Sequence, residues 1–381
     1  MPTDASDNGS MSSLRVRSRR TPSIASIAGF MEYLSPSELS SPETPFGIQI
    51  GDPAAPVTAA IVAPMVSANA IGIAETRSDA LLITAAPLIT HPLTAIRSDD
   101  PVGERIVRLI EKRVGLLVLP SSIAAAPGGL DDALAARLGL AGTSALRQTA
   151  CESLFKIGVY VPPEAADSLL FAASEAGAGY IGNYSHCSFQ SPGTGTFLPE
   201  DGATPTIGTV GTLERVNEVR LEMIVPQREL QGALAAILDA HPYEEVAYDV
   251  IALRNPGAPY GRGRVGDLPL PVHIDTILSQ IQDALPGVSI RCSHQPSSPI
   301  SRLAVTSGMS DGLTREAARS GAGAFIVGVA SPEDLLIAGS GAIVLIEIGF
   351  AASVGPGLER LCDQLSRTFG DDGVEVIRCS Q

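Results

Sequence analysis

The sequence is poor in the side chains on which most catalytic and nucleic-acid chemistry depends. Its 381 residues include five histidines and no tryptophan, and aromatic residues make up only 4% of the chain. Unpaired bases stack on aromatic side chains, and phosphate backbones are bound by clustered Lys and Arg. Here Lys and Arg number 26 against 41 Asp and Glu, a formal net charge of −15. The composition therefore argues against a nucleic-acid binder and confines acid–base or metal chemistry to five imidazoles and the carboxylates.

The cysteine pattern and the lack of long apolar runs indicate the cellular compartment and argue against a membrane protein. The five cysteines form no CxxC pair and are odd in number, which indicates neither a zinc ribbon nor a disulfide framework, so we expect a reducing, cytoplasmic location. No apolar run approaches the ~20 residues of a transmembrane helix, and no membrane partner is expected. Residues 1–20 are rich in Ser and Arg, but Asp4 and Asp7 weaken the interpretation as a transit peptide. We predict a disordered tail there.

What the chain does contain is 45% hydrophobic residues, arranged as short apolar runs that alternate with helical periodicity. Asp100 and Pro101 predict a helix start, after which Val102, Ile106, Leu109 and Ile110 form an apolar stripe. Strands apolar on both faces indicate a parallel sheet covered by helices. The predicted strands are residues 59–63, 80–84, 114–119, 303–306, 324–327 and 343–346. They place α/β segments at 21–150 and 261–381.

The middle of the chain, residues 151–260, follows a different order. Its pattern reads β-α-β-β-α-β, with strands predicted at 155–161, 180–189, 218–225 and 246–253 and helices at 163–176 and 227–240. That order is the ferredoxin-like split βαβ arrangement. We predict an inserted ferredoxin-like α+β domain that splits one outer α/β domain in two. Residues 254–271, rich in Gly and Pro, are predicted to be the linker back to the outer domain.

Residues 177–182 match GxGxxG letter for letter. A dinucleotide site needs this motif after a strand and at the start of a helix. Here it follows a predicted helix and opens a predicted strand. The motif is therefore interpreted as a helix C-cap and tight turn.

A few polar residues of the predicted insert are candidate ligand-binding groups. His186 and Cys187 would point to opposite faces of an extended strand, so they cannot form one dyad. His241 follows the second insert helix, where the helix dipole could simply stabilise it, yet with Glu244 and Glu245 it could also form a corner of a polar or metal site. The strand ends of the outer segments, where α/β sites are usually found, are bare of such groups.

Several stretches together resemble one known family. They are GAGYIGNYSHCSF at 177–189, PGTGTFLP at 192–199, HPYEEVAYD at 241–249 and GRGRVG at 261–266. The chain is similar to the Nif-three-like family, also called GTP cyclohydrolase I type 2-like proteins. The resemblance implies an outer α/β domain with a PII-like or CutA-like insert, assembly into a homo-hexamer, and two divalent metal ions in typical members.

When the family's metal ligands are aligned with this chain, they fall on residues without donor atoms, except that a further polar pair falls on Val329 and Glu333. Its His-His pair falls on Ala85 and Ala86, its Asp on Ala124, and its last His and Glu on Phe350 and Val354. Alkyl and aromatic side chains offer no lone pair to a divalent ion. We therefore predict no metal cofactor, and no catalytic residue is assigned.

Three hypotheses follow for the function. The first is a hexameric scaffold or small-ligand-binding protein that has lost its dinuclear metal site. The second is a metal-dependent hydrolase of the GTP cyclohydrolase I type 2-like kind, with His91, Glu333 and Glu347 as replacement ligands. The third is a regulatory adaptor acting through the insert, for which Asn183, His186, Glu244 and Glu245 are the first residues to mutate.

Overall fold

The computed structural model describes residues 21–40, 44–202 and 208–380, so the predicted tail at 1–20 lies outside the described residues. Contacts divide the chain into a first unit (residues 1–32, 42–121 and 357–381) and a second unit (33–41 and 122–356). The helices are α1 Ile24–Leu34, α2 Ala68–Glu75, α3 Pro101–Glu111, α4 Leu130–Arg137, α5 Ala166–Glu175, α6 Gln227–Ala240, α7 Ile274–Ala284, α8 Thr314–Arg319, α9 Pro332–Gly339 and α10 Phe350–Phe369. No helix in the described ranges is both long and apolar enough to cross a bilayer.

The strands form three sheets. They are β1 Gly47–Ile50, β2 Ala59–Ala63, β3 Ala80–Thr84, β4 Gly115–Val118, β5 Ala141–Cys151, β6 Leu154–Val161, β7 Ser188–Phe197, β8 Glu214–Pro226, β9 Tyr248–Ala252, β10 Pro259–Val272, β11 Arg291–Cys292, β12 Ile300–Met309, β13 Ala324–Val329, β14 Val344–Glu347 and β15 Glu375–Arg378. The first unit holds a sheet of order β1-β4-β3-β2-β15, and the second holds β11-β14-β13-β12-β10-β5 and β7-β8-β6-β9. A mixed α/β architecture with several sheets is confirmed.

In the first unit the apolar runs make a doubly covered sheet, as predicted. β2 and β3 are buried along their whole length and pair in parallel, and β3 pairs with β4 in the same way. The Asp100 carboxylate caps α3, accepting from the backbone N–H of Val102 at 3.0 Å and of Gly103 at 2.8 Å. Ile110 was predicted to face inward, and this was wrong, because 55% of it is exposed.

The two sheets of the second unit differ in the direction of their strands. In the six-stranded sheet β12, β13 and β14 run parallel. The four-stranded sheet is antiparallel, and its buried face packs on α5 and α6 around residues such as Ile157, Leu221 and Ile237. Its elements occur in the order β-α-β-β-α-β along the chain. The domain bounds at 150 and 260 stay a prediction.

The predicted linker at 254–271 was wrong, since β10 runs through most of it as a central strand of the six-stranded sheet. The glycines that favoured a loop are required by close packing against β5, which the sequence pattern also did not predict. A β-carbon on Gly261 would lie 2.6 Å from that of Ala145, and one on Gly266 would lie 2.8 Å from the carbonyl oxygen of Ala141. Glycine here permits strand packing rather than a loop.

The predicted strand at 180–189 was also wrong except at its last two residues, because β7 begins at Ser188. The chain after α5 turns at Gly177 and Gly179, both with positive φ, so the helix C-cap interpretation of GxGxxG is confirmed. Ile181 and Tyr184 then exchange backbone hydrogen bonds of 3.0 Å across a two-residue turn. Consequently His186, with φ of 58°, precedes β7 instead of lying within it.

Candidate functional site

The carboxyl edge of the six-stranded sheet, where β12, β13 and β14 end, is organised by a buried carboxylate. Asp334, near the start of α9, accepts hydrogen bonds from the Thr314 hydroxyl at 2.5 Å, from the Ser331 hydroxyl at 2.6 Å and from the Ser331 N–H at 2.7 Å. The Ser310 hydroxyl donates to it as well. Burial alone would raise the pKa of Asp334, but these hydrogen bonds hold it below its ordinary value. The carboxylate joins the segment after β12 to the start of α9, and donors from both satisfy it.

Two of the family's ligand positions lie at the same edge, on the first turns of α10. The Gly308 N–H donates to the Ser353 hydroxyl at 2.9 Å, and that hydroxyl donates to the carbonyl of Phe350 at 2.7 Å. The Phe350 ring lies over Gly308, because a β-carbon there would be 3.5 Å from the ring. Val354 is 1% exposed. An aromatic ring and a buried alkyl group thus occupy the two positions.

A third position, Ala124, ends the short 3-10 turn Ser121–Ala124 and is buried. Its neighbour Ser122 cannot act as a substitute donor. The Ser122 hydroxyl donates to the carbonyl of Pro36 at 3.0 Å and accepts from the Ser35 hydroxyl at 2.7 Å. Its oxygen is used to hold the turn in place.

The remaining two positions belong to the first unit, at the carboxyl end of β3. Ala85 and Ala86 are half-buried. The N–H of Ala86 donates to the carbonyl of Pro64 at 2.9 Å, and its carbonyl accepts from the Thr84 hydroxyl at 2.8 Å. The Ala86 backbone groups and the Thr84 hydroxyl are thus already paired within the protein.

The three replacement donors are engaged elsewhere. Glu333 forms an ion pair with Arg315 at 2.9 Å, and Glu347 forms one with Arg291 at 3.0 Å. His91 is exposed, with its Nδ1 atom 3.1 Å from the hydroxyl of Thr90. Across residues 21–40, 44–202 and 208–380, no group of three or more His, Cys, Asp or Glu side chains is placed to hold a metal ion. The residues present do not fit a dinuclear metal centre.

A second buried carboxylate lies beside this edge and was missed by sequence reasoning. Asp131, in the first turn of α4, accepts from the Gly263 N–H at 2.6 Å and from the N–H and hydroxyl of Ser307 at 2.7 and 2.6 Å. The Arg262 guanidinium lies 3.4 Å from it, and Arg264 pairs with Asp132. The signal available was GRGRVG, whose two arginines share one face of a strand.

Of the insert candidates, His241 is held by backbone groups on both ring nitrogens. Its Nε2 atom lies 2.9 Å from the carbonyl of Tyr160, and its Nδ1 accepts from the N–H of Tyr243 at 3.1 Å. Because a carbonyl can only accept, the ring is neutral with its proton on Nε2. His241 therefore has no free lone pair for a ligand in this conformation, and Glu244 and Glu245 beside it are exposed.

The other insert candidates precede the opposite edge strand of the four-stranded sheet, so the structure does not join the two groups into one site. Asn183 is exposed in the turn before β7, and the His186 ring packs edge-on to Phe171 with centroids 5.1 Å apart. Cys187 lies next to it with a free thiol. The surrounding surface is apolar, since Tyr184 is 75% and Phe189 66% exposed.

One further polar cluster, which we call the neck cluster, surrounds the entry to and exit from the four-stranded sheet. It consists of Tyr33, Glu152, Arg228, Glu229 and Tyr260. The Arg228 Nε atom lies 3.4 Å from a carboxylate oxygen of each glutamate, and the Tyr33 hydroxyl donates to Glu229 at 2.8 Å. Glu152 Oε1 and the Tyr260 hydroxyl are buried without a hydrogen-bond partner among the described residues. Burial raises the pKa of Glu152, with Arg228 opposing it.

Comparison with known proteins identifies relatives along almost the whole chain. The sequence profile of Duf34/NIF3 (NGG1p interacting factor 3) matches residues 22–381. A Mycobacterium leprae protein named GTP cyclohydrolase 1 type 2 homolog is 34% identical over 91% of each chain, and a Bacillus subtilis protein of that name is 34% identical over 79% of this chain and 81% of its own. The crystal structure of a Bacillus cereus protein related to NIF3 superposes with a TM-score of 0.82 at 30% identity, over 95% of this chain and 98% of that one.

Proposed function

Because this chain belongs to the Duf34/NIF3 family, we propose that it is a member that has lost the dinuclear metal site and acts as a hexameric scaffold or small-ligand-binding protein. The observation that carries this proposal is the chemistry of the five ligand positions. Three are alanine, one is a phenylalanine packed on Gly308, and one is a buried valine. A change in residues around a metal site weakens it by roughly 10–100-fold, whereas loss of all its ligands removes it.

The proposal includes an inserted ferredoxin-like domain at residues 151–260. The strand order β7-β8-β6-β9 and the chain order β-α-β-β-α-β support it. A regulatory role through this domain is the third candidate, supported by the exposed aromatic residues around Asn183 and His186. The pattern of five free cysteines supports a cytoplasmic location.

The alternative is a metal-dependent hydrolase, and it is favoured by the name of the relatives, GTP cyclohydrolase 1 type 2 homolog. It needs Glu333 and Glu347 to leave their arginine partners, at 2.9 and 3.0 Å, and His91 to join them at a metal ion. The ion pairs count against that role.

The test is hydrolysis of GTP by the full chain in the presence of excess zinc, manganese or ferrous ion, with the oligomer followed by light scattering. We expect a hexamer with no turnover above buffer. Turnover that disappears in both His91→Ala and Glu333→Ala would establish the hydrolase instead. A monomer would contradict the scaffold part of the proposal.

A further inference from the structure

The first unit contains a cavity of about 430 Å³. It lies at the edge of the sheet opposite to the end of β3 that is followed by Ala85 and Ala86. It lies where β3 and β4 begin, against the carboxyl end of α3. Ile24, Leu109 and Val114 contribute buried apolar surface, and Ile110 lines its exposed side. A volume of this size lies within the range of small-molecule sites, which are mostly apolar with a few convergent polar groups.

Two charged residues at this cavity have a positive φ, a backbone conformation that residues other than glycine usually avoid. Asp79 has φ of 45° and Arg113 has φ of 55°, and they are two of four non-glycine residues with positive φ in the described ranges. Glycine is the usual choice at both kinds of position, a turn before a strand and the residue after a helix C-cap. Strained residues of this kind concentrate at functional sites.

Neither side chain compensates for the strain by bonding within the protein. In the part of the chain that the structure describes, the Asp79 carboxylate and the Arg113 guanidinium have no hydrogen bond or ion pair. The backbone around Arg113 is nevertheless fixed, since its N–H donates to the carbonyl of Ile110 at 3.1 Å and that of Val114 to Leu109 at 2.9 Å. An unpaired cation and an unpaired anion are thus held at one apolar cavity.

We propose that this cavity binds a small zwitterion with an aliphatic body, of the chemical class of the branched-chain amino acids. The carboxylate of such a ligand would pair with Arg113 and its ammonium group with Asp79, while the aliphatic body would lie against Ile110, which is 55% exposed at the cavity. The inference deepens the small-ligand part of the proposed function. It does not depend on the state of the metal site, which involves other residues.

Titration of the full chain with L-leucine by calorimetry tests this proposal. We expect saturable binding, weakened about tenfold or more in Asp79→Asn, the loss expected for one charge-assisted hydrogen bond. The analogues 4-methylpentanoate, without the amine, and isoamylamine, without the carboxylate, should each bind correspondingly more weakly. Arg105→Gln, on the same helix but away from the cavity, should bind leucine like the wild type.

The variant Arg113→Gly separates a binding role from a structural one. It removes the strain at this position, so we expect the ligand-free protein to melt about 1–2 °C higher while leucine binding is lost. Absence of leucine binding to the wild type, or equal binding by wild type and Arg113→Gly, would overturn the inference. If the protein holds metal ions and also binds leucine, only the proposed loss of the metal site is wrong. If it holds no metal ions and does not bind leucine, only the proposed leucine site is wrong.

Discussion

Two polar clusters of the second unit each contain a buried carboxylate, but the pKa values of the two carboxylates are shifted in opposite directions. One cluster is the carboxyl edge of the six-stranded sheet, and the other is the neck cluster. Asp334 accepts hydrogen bonds from three hydroxyls and one N–H, which hold its pKa below the ordinary value. Glu152 has an ion pair with Arg228, 3.4 Å from its Oε1 atom, but that oxygen accepts no hydrogen bond and burial raises the pKa of the carboxyl. The Asp334 carboxylate at this edge therefore has its hydrogen bonds satisfied within the protein, whereas the neck cluster keeps buried polar atoms without hydrogen bonds.

The largest expected effect comes from removing the carboxylate that organises the edge. Asp334→Ala would leave the hydroxyls of Ser310, Thr314 and Ser331 buried without their acceptor, so we expect about 3–4 kcal/mol of lost stability in guanidinium unfolding. Asp363→Ala, at an exposed position on α10, should change stability by less than ~0.5 kcal/mol. Similar effects for both variants would show that the hydrogen bonds of Asp334 contribute nothing.

A smaller effect is expected where an aromatic ring replaces a family ligand. Phe350→Ala should cost about 2 kcal/mol, less than a fully buried phenylalanine, because Phe350 is only half-buried. Thermal unfolding in the same buffer measures it. A Phe350→His variant that unfolds like wild type and takes up zinc would instead show that the edge is still a metal site lacking one donor.

Removing the charge of the buried carboxylate in the neck cluster should stabilise the protein instead of destabilising it. Since the pKa of Glu152 is raised on folding, its ionised form costs stability above the folded pKa, and this cost disappears as the pH falls through that pKa. Glu152→Gln should therefore stabilise the protein by about 1 kcal/mol at pH 8 and by progressively less toward pH 5. For Asp334 the sign is reversed, because its contribution is lost as the pH falls through its lowered pKa. Destabilisation by Glu152→Gln at pH 8 would mean that the ion pair with Arg228 outweighs burial.

The smallest effect is expected at the surface of the edge. Glu333 and Arg315 form an ion pair with 59% of each side chain exposed, and such pairs contribute roughly 0–1 kcal/mol. Glu333→Ala should therefore leave the melting temperature within error of the wild type. A marked change in metal uptake by this variant would contradict our account, because it would give Glu333 a role as a metal ligand.

Local sequence signals were sufficient for elements whose pattern is self-contained. The strands at 59–63 and 80–84 and the helix at 227–240 have the predicted bounds, and the Asp100 cap with Pro101 starts α3 as predicted. In contrast, β10 was missed because its glycines and prolines indicate a loop until its partner strand β5, which was also missed, is known. Pairing over more than 100 residues is not encoded in a local pattern.

The site shows the same division. The absence of donors at Ala85, Ala86, Ala124, Phe350 and Val354 follows from the sequence once the resemblance aligns them. The hydrogen bonds that satisfy Asp334 follow from the sequence only for Ser331, three residues before it, because Ser310 and Thr314 belong to a separate segment after β12. The Glu152 oxygen that lacks a hydrogen bond could not be predicted either, since burial of an acidic residue between two strands leaves no periodic signal.

If the edge is complete without metal ions, the metal content of the full chain purified without chelator tests this most directly. We predict well below one equivalent of zinc, iron, manganese or nickel per chain, unchanged after dialysis against each ion. Close to two tightly held equivalents per chain would contradict the account.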